Sequence, residues 1–352
     1  MIYVLALLHL GLFLILLGNL FYLRRRRRPV APDGHPVVSI LIPARNEEDN
    51  LRRLIPSLLS QDYPGFEIII YDDGSEDNTW NVIQSLADER VKAIKGSGPP
   101  PGWVGKVHAL YQATRRATGS LFLFLDADAE LLHPEALRNL VGRFQSLPPH
   151  SVMTGMVRLL GGAKLLVSLV PNAILTGLPW PLVRRLPFRA LGALNGQCWL
   201  IDRAAYRRFE PHLHHKDEVL EDVVIGRYLK DKGITPVLFD LKQDVSVYMY
   251  RTLGEAWHGF RKNAYLILGG HPLLFFLFST QYFLTYILAP FISPWLLLSV
   301  YLLKAFTDRI TVFPPWVTLL TPLSYLLGLL LQFDSALSHW TGRVSWKGRR
   351  VG

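Results

Sequence analysis

The run Leu121-Phe122-Leu123-Phe124-Leu125 ends abruptly in Asp126-Ala127-Asp128. Five large apolar residues are too few for a helix with a core of its own. They read instead as a strand buried on both faces, as strands of a parallel sheet are. The two carboxylates then sit at the strand's C-terminal end, and in open α/β sheets that edge is where ligands bind. Two hard oxygen donors two residues apart suit Mg²⁺ or Mn²⁺, which in turn suits a diphosphate. An acidic turn after a strand accounts for the same residues, so their surroundings must decide.

Those surroundings repeat the pattern. Residues 37–42 read as a buried strand closed by Pro43-Ala44-Arg45-Asn46-Glu47. Leu51, Leu54, Ile55, Leu58 and Leu59 follow at helical spacing. Residues 66–71 form a second strand, closed by Asp72-Asp73-Gly74-Ser75. Asp77-Asn78-Thr79 can cap a helix running to about Glu89. Residues 91–94 read as a third strand, and a Gly/Pro loop, 96–102, leads to a helix near 106–117. Strands alternating with helices give parallel βαβ units, whose carboxyl edge gathers 43–47, 72–73 and 126–128. No Gly-x-Gly-x-x-Gly follows the first strand, which argues against a dinucleotide enzyme, and no Walker A pattern is present. The 98–102 loop carries three consecutive prolines, which lack the N–H groups a phosphate loop needs.

Half of the residues are hydrophobic, and much of that is local. Residues 2–23 are almost wholly apolar, about the length that crosses a bilayer core. Arg24 to Arg28 follow the apolar run instead of preceding it, which reads as an uncleaved anchor with its C-terminal side in the cytosol. Residues 272–303 and 311–333 are the other apolar stretches, with Pro290 and Pro294 marking a kinked or broken span. Three spans return the basic tail to the cytosol; a double crossing by 272–303 would place it outside. The expected division is an anchor at 1–23, a basic linker at 24–36, a soluble domain at 37–265, a C-terminal membrane region at 266–335 and a cytosolic tail at 336–352. A net charge of +10 fits the membrane surface better than nucleic acid, since much of it flanks the apolar segments and no nucleic-acid motif is evident. The single cysteine, Cys198, excludes an internal disulfide.

Pro43-Ala44-Arg45-Asn46-Glu47, Asp72-Asp73-Gly74-Ser75, Asp126-Ala127-Asp128 and Glu221-Asp222 stand in the order and spacing of one family. Over about 37–265 the chain resembles family-2 inverting glycosyltransferases. The resemblance implies an α/β fold with a nucleotide-sugar-binding, Rossmann-like mixed sheet (the A-type fold), here flanked by N- and C-terminal transmembrane helices. Pro101-Gly102-Trp103-Val104-Gly105-Lys106 and Trp346-Lys347-Gly348-Arg349 narrow it to membrane-bound bacterial enzymes that glycosylate lipids, carotenoid acids or hopanoids among them.

Residue roles follow from that resemblance. It implies a nucleotide diphospho-sugar donor, usually a UDP-sugar, with Mg²⁺ or Mn²⁺ held by Asp128, and Asp126 either sharing the metal or holding the ribose. Glu130 is either a third ligand or an exposed strand-end glutamate. Asp73 matches the carboxylate that meets the uracil ring, and Pro43, Ala44 and Glu47 the segment facing uridine, while Asp72 supports the turn. Arg45 is either a surface charge or part of that site. Lys106, opening a helix, is placed to meet phosphate. Asn195, Gly196 and Gln197 match the stretch lining the acceptor and sugar pocket, with Glu221 supporting. Asp222 matches the general base that takes the acceptor's proton; a helix-capping acid is the plainer reading. The Gln-x-x-Arg-Trp of processive members is missing; Trp257-His258-Gly259-Phe260-Arg261 stands there, with Arg261 expected to serve the diphosphate. A processive polysaccharide synthase and a non-catalytic membrane scaffold are the rival readings. The apolar, basic stretch 159–194 is either a membrane-lying insertion or a loop over the active site.

Overall fold

The computed structural model describes residues 1–352 except Arg27, Pro29, Ala87, Gly348, Val351 and Gly352. Arg27 of the arginine run, and Gly348 and the side chain of Trp346 in the C-terminal motif, thus lie outside the described residues. Ten strands carry the fold: β1 (Val38–Ala44), β2 (Phe66–Asp72), β3 (Val91–Lys95), β4 (Leu121–Leu125), β5 (Ala129–Leu131), β6 (Ser151–Met156), β7 (Arg158–Gly161), β8 (Cys198–Asp202), β9 (Thr235–Asp240) and β10 (Val245–Tyr250). Seven of them form one sheet in the order β3-β2-β1-β4-β8-β6-β9. Neighbours run parallel except β8, which is antiparallel to both β4 and β6. Cys198, the first residue of β8, lies opposite Leu125, the last of β4. The chain therefore enters β8 from the sheet's carboxyl edge.

Burial explains the apolar runs. Every residue of β2 and β4 is buried. Phe124 stacks on Trp199 of β8 with ring centroids 3.8 Å apart. β3 is one of the two edge strands, and Lys92 and Lys95 are exposed on it, as charges on edges commonly are. The helix Glu48–Leu59 buries Leu51, Leu54, Ile55 and Leu58, the expected apolar face. The helix Thr79–Gln84 stops five residues before the expected Glu89. Just beyond it, the Asp88 carboxylate accepts from the backbone N–H of Arg90 at 2.9 Å and from its guanidinium at 2.9 and 2.7 Å. Such local side-chain bonding competes with helix continuation.

The chain forms two compact units. Leu23–Arg158 and Leu182–Tyr248 make the sheet unit; Met1–Tyr22, Leu159–Pro181 and Met249–Gly352 make a helical unit. The stretch 159–194, expected as one insertion, is thus divided between them after Pro181. Two helices are long and apolar enough to cross a membrane: Ile2–Arg25 and Pro272–Ile292. The second contains a π-helical stretch at Phe283–Leu288. It ends at Ser293, whose hydroxyl caps the next helix, Pro294–Ile310, by accepting from Trp295 N–H. Residues 272–303 are therefore two helices. The span expected at 311–333 is displaced: its long helix is Thr321–Trp340, starting after Pro314-Pro315 and carrying Gln332, Asp334 and His339. That polar half keeps it out of the spanning class, which holds two helices among the described residues.

One ion pair is fully buried in the helical unit. Lys304 and Asp308, one turn apart, are 0% and 1% exposed. The Lys304 ammonium bonds Asp308 Oδ1 and donates to Ser168 Oγ at 2.9 Å, while Thr318 Oγ1 donates to Asp308 Oδ2 at 2.8 Å. Asn172 Nδ2 adds a bond to Thr307 Oγ1 at 3.1 Å. These bonds fasten the 164–177 helices to the C-terminal ones. Removing one charge strands the other, at a cost of about 3–5 kcal/mol, whereas apolar replacement of both is often neutral. Lys304→Met should therefore lower the thermal-inactivation midpoint of the full chain in detergent, and Lys304→Met/Asp308→Leu should restore most of it.

Candidate active site

Two turns at the carboxyl edge of β1 and β2 are locked together. The Asp73 N–H donates to Ala44 O at 2.8 Å. The Arg45 guanidinium donates to the carbonyls of Asp73 and Gly74 at 3.0 and 2.7 Å and pairs with Glu76 at 3.0 Å. Arg45 is thus a half-buried latch between the two turns rather than a free surface charge. Asp72 Oδ1 accepts from Ser75 N–H at 3.1 Å and from the Ser75 hydroxyl, so Asp72 does support its turn. The Glu47 N–H donates to Thr79 Oγ1 at 2.7 Å, holding the segment after Pro43 and Ala44 against the neighbouring helix. Asp73, 3% exposed, lies at the centre of this corner.

His108 joins the corner, and the sequence reading missed it. Its ring meets Tyr71 edge-on at 5.7 Å and Trp103 at 5.4 Å. Burial pushes its pKa down, against the opposing charge of Asp73. The signal was available: His108 stands two residues after Lys106 on the helix Gly105–Arg116.

Lys106 links three segments. Its Nζ lies 2.8 Å from Asp126 Oδ1 and 3.0 Å from Glu221 Oε1. Burial alone would push this ammonium's pKa down; Asp126, Glu221 and Asp222 outweigh it and hold the pKa well above the usual lysine value. Asp126 is anchored in turn by its N–H to Gln197 O at 3.2 Å, and the Asp128 carbonyl accepts from Tyr248 N–H at 2.9 Å. Among the described residues no three carboxylate, histidine or cysteine groups converge on a metal-sized site. Glu130, paired across β5 and β10 with Ser246, therefore does not complete a set of three with Asp126 and Asp128.

Because β8 starts beside the end of β4, Asn195-Gly196-Gln197 lies next to Asp126. The Asn195 N–H donates to Thr154 Oγ1 at 2.7 Å and its Nδ2 to Gly155 O at 2.8 Å, so β6 fixes this stretch. Gly196 N–H donates to Asp222 Oδ2 at 2.9 Å. A Cβ on Gly196 would stand 3.0 Å from that oxygen, so a side chain there would crowd the Asp222 carboxylate. Asp222 Oδ1 accepts from Val223 N–H at 2.8 Å. The helix it belongs to is Glu221–Asp231 with Leu220 in the cap position, so the plainer reading of Asp222 as a cap does not hold. Burial, then the Glu221 charge, pushes its pKa up to about 6, against Lys106 and the two N–H donors.

Residues 39–209 match the family model described as glycosyl transferase family 2. The chain carries a glycosyltransferase family 2 domain. Over 112 residues it is 34% identical to 4,4'-diaponeurosporenoate glycosyltransferase of Staphylococcus aureus strains USA300 and Newman. That match covers 32% of this chain and 29% of the relative, so it spans less than a third of the curated relatives' length. A mannosyltransferase from Pyrobaculum calidifontis, solved with GDP-Man and Mn²⁺, aligns over 99% of both chains with a TM-score of 0.56 at 18% identity. That likeness is one of fold.

Of the residues expected around the donor and acceptor, the sheet unit brings Lys106, Asp126, Gln197, Glu221, Asp222, Gly196 and Asn195 into one bonded cluster. Pro43, Ala44, Glu47 and Asp73 form the neighbouring corner. Arg261 belongs to the helical unit, 3.8 Å from Asp334. Its sequence signal was position after the acidic pair, which says nothing of the unit it packs in.

The pH dependence of stability tests Asp222. Its folded pKa lies above the unfolded value, so the folded form binds the extra proton between about pH 4 and pH 6. The Asp222 contribution to stability is therefore most favourable below that window and declines as pH rises through it. Asp222→Asn should flatten this part of the curve in a comparison of unfolding midpoints at pH 4, 5, 6 and 7.

Proposed function

We propose that the chain transfers one sugar, with inversion, from a nucleotide diphospho-sugar to a lipid at the cytosolic face of the cell membrane. The observation that carries this reading is the Lys106 bridge. It joins Asp126, on the donor side, to Glu221, the neighbour of the base candidate Asp222. A cation and an acid–base group are thereby set next to one another at a sheet's carboxyl edge.

In this reading Asp73 accepts from the nucleobase, taken as uracil, and Pro43, Ala44 and Glu47 shape the nucleoside side. Lys106 meets the diphosphate. Asp128 and Asp126 would hold a divalent ion, since two hard carboxylates on one turn suit Mg²⁺ or Mn²⁺. Such an ion would supply charge neutralisation to the leaving diphosphate. Asp222 accepts the proton of an acceptor hydroxyl as that oxygen forms its bond to the anomeric carbon. The bond from that carbon to phosphate breaks on the opposite face, and the nucleoside diphosphate leaves beside the Lys106 ammonium. Asn195, Gly196, Gln197 and Glu221 hold the acceptor end. The Gly196 and Val223 N–H groups aim the Asp222 carboxylate.

A lipid acceptor is supported by the two apolar helices, by the five arginines after the first, and by a relative named for a carotenoid acid. Two acceptor chemistries separate by mutation. With a hydroxyl acceptor, Asp222→Asn should lower kcat by about 10²–10⁴-fold. The rate should also fall as pH drops below about 6, where Asp222 takes up its proton. With a carboxylate acceptor, already ionised, Asp222→Asn should cost far less than Asp128→Asn. Radiolabelled sugar transfer to extracted membrane lipids, with both variants and varied Mn²⁺, reads these outcomes. Failure of the wild-type chain to bind any nucleotide sugar would sink the reading.

A further inference from the structure

Between Glu135 and Asp202 the chain has no acidic residue. Within that interval, residues 182–194 return from the helical unit's sequence into the sheet unit and form a strap on the helix Glu221–Asp231. Both feet of the strap stand on this helix. At the first, Lys230 Nζ donates to Val183 O. At the second, Gly192 packs backbone to backbone on Gly226: a Cβ on Gly192 would lie 2.5 Å from Gly226 O, and one on Gly226 would lie 2.6 Å from Ala193 C. Gly226 and Lys230 are one helical turn apart, so the two feet share a face. Of the eight residues between the feet, 184–191, six are exposed.

The apex is ordered by local bonds. Arg185 and Leu186 N–H donate to Leu182 O at 3.0 Å, and Gly192 N–H to Arg189 O at 2.9 Å. What it presents is specific in chemistry. Leu182 and Phe188 are 38% and 60% exposed. Arg184, Arg185 and Arg189 are exposed, and none pairs with a carboxylate of the described residues. A ring that water would rather not solvate, flanked by three uncompensated guanidinium groups, matches an anionic lipid surface. The guanidinium forks bind phosphate and the ring enters the boundary between headgroups and chains.

We infer that the 182–194 strap is the surface on which the sheet unit docks to an anionic lipid leaflet, with Phe188 as its inserted tip and Arg184, Arg185 and Arg189 on lipid phosphate. The strap leads without interruption into Asn195 and Gly196, and its feet hold the helix that carries Asp222. Docking therefore orients the base candidate towards the layer that supplies a lipid acceptor. The inference goes beyond the proposed transfer reaction, and its test involves no turnover.

Cys198 is fully buried, so a spin label on Phe188→Cys in the otherwise natural chain reports position 188, with the unsubstituted chain as the labelling blank. The labelled full chain is placed in nanodiscs of phosphatidylcholine, alone or mixed with phosphatidylglycerol. Collision of the nitroxide with oxygen and with a water-soluble nickel chelate is then measured. In the anionic discs the label should be shielded from nickel and open to oxygen, as it is in lipid. Three arginines near an anionic surface favour docking by on the order of 100-fold. Replacing Arg184, Arg185 and Arg189 by Gln, or removing phosphatidylglycerol, should therefore return the label to water-like values. High salt should do the same in part. Water-like values in the anionic discs would overturn the inference. So would shielding that persists in the triple variant, which would mean that the protein itself covers the ring. Shielding produced by soluble poly-glutamate but not by anionic lipid would assign the strap to an acidic protein partner and equally overturn it.

Discussion

One ammonium organises this protein's candidate site. Lys106 opens a helix after a Gly/Pro loop, and its Nζ reaches carboxylates from two distant parts of the chain, Asp126 and Glu221. Without that cation, the charges of Asp126, Glu221 and Asp222 would stand uncompensated at the sheet's edge. With it, all three share one opposing charge. The lysine's position at a helix N-terminus is unfavourable for the helix dipole, and the two acidic partners offset that cost. In the proposed reaction, the donor's diphosphate meets an ammonium already held in place.

The sheet supplies the rigid frame. β4 is buried on both faces, so the first polar groups after Leu125 emerge where the sheet ends. β8 begins at the same level but runs the other way, which lays Asn195-Gly196-Gln197 across the mouth of β4. Thr154 and Gly155 of β6 then hold Asn195, and Gly196 holds Asp222. Asn195, Gly196 and Asp222 are therefore held by bonds that strand order sets up. The strap that precedes them belongs to the same construction, since it stands on the helix that presents Glu221 and Asp222.

Some features could be read directly from residues. The apolar run into Asp126-Ala127-Asp128, the Asp72-Asp73 turn and the periodic leucines of residues 51–58 each carry a local signal, and each folds as that signal says. Other features have no local signal. Arg45 became a latch because two turns 28 residues apart meet, and His108 joined Tyr71 and Asp73 because a helix crosses the end of β2. The helix after Thr79 ended early because the Asp88–Arg90 turn captured the backbone. Pro314-Pro315 and the polar residues near Trp340 displaced the last expected span.

By itself the sequence determined the class of fold, the strand-end position of the acidic motifs and the two long apolar helices, because each depends on residues close together in the chain. Tertiary structure alone decided which charges share a partner. It tied Lys106 to both Asp126 and Glu221, put Asp222 against a glycine 26 residues earlier, left Arg261 in the helical unit and split 159–194 between two units. Those outcomes depend on strand order and on the desolvation and close packing of groups far apart in sequence. A linear pattern encodes such contacts only through the fold it produces.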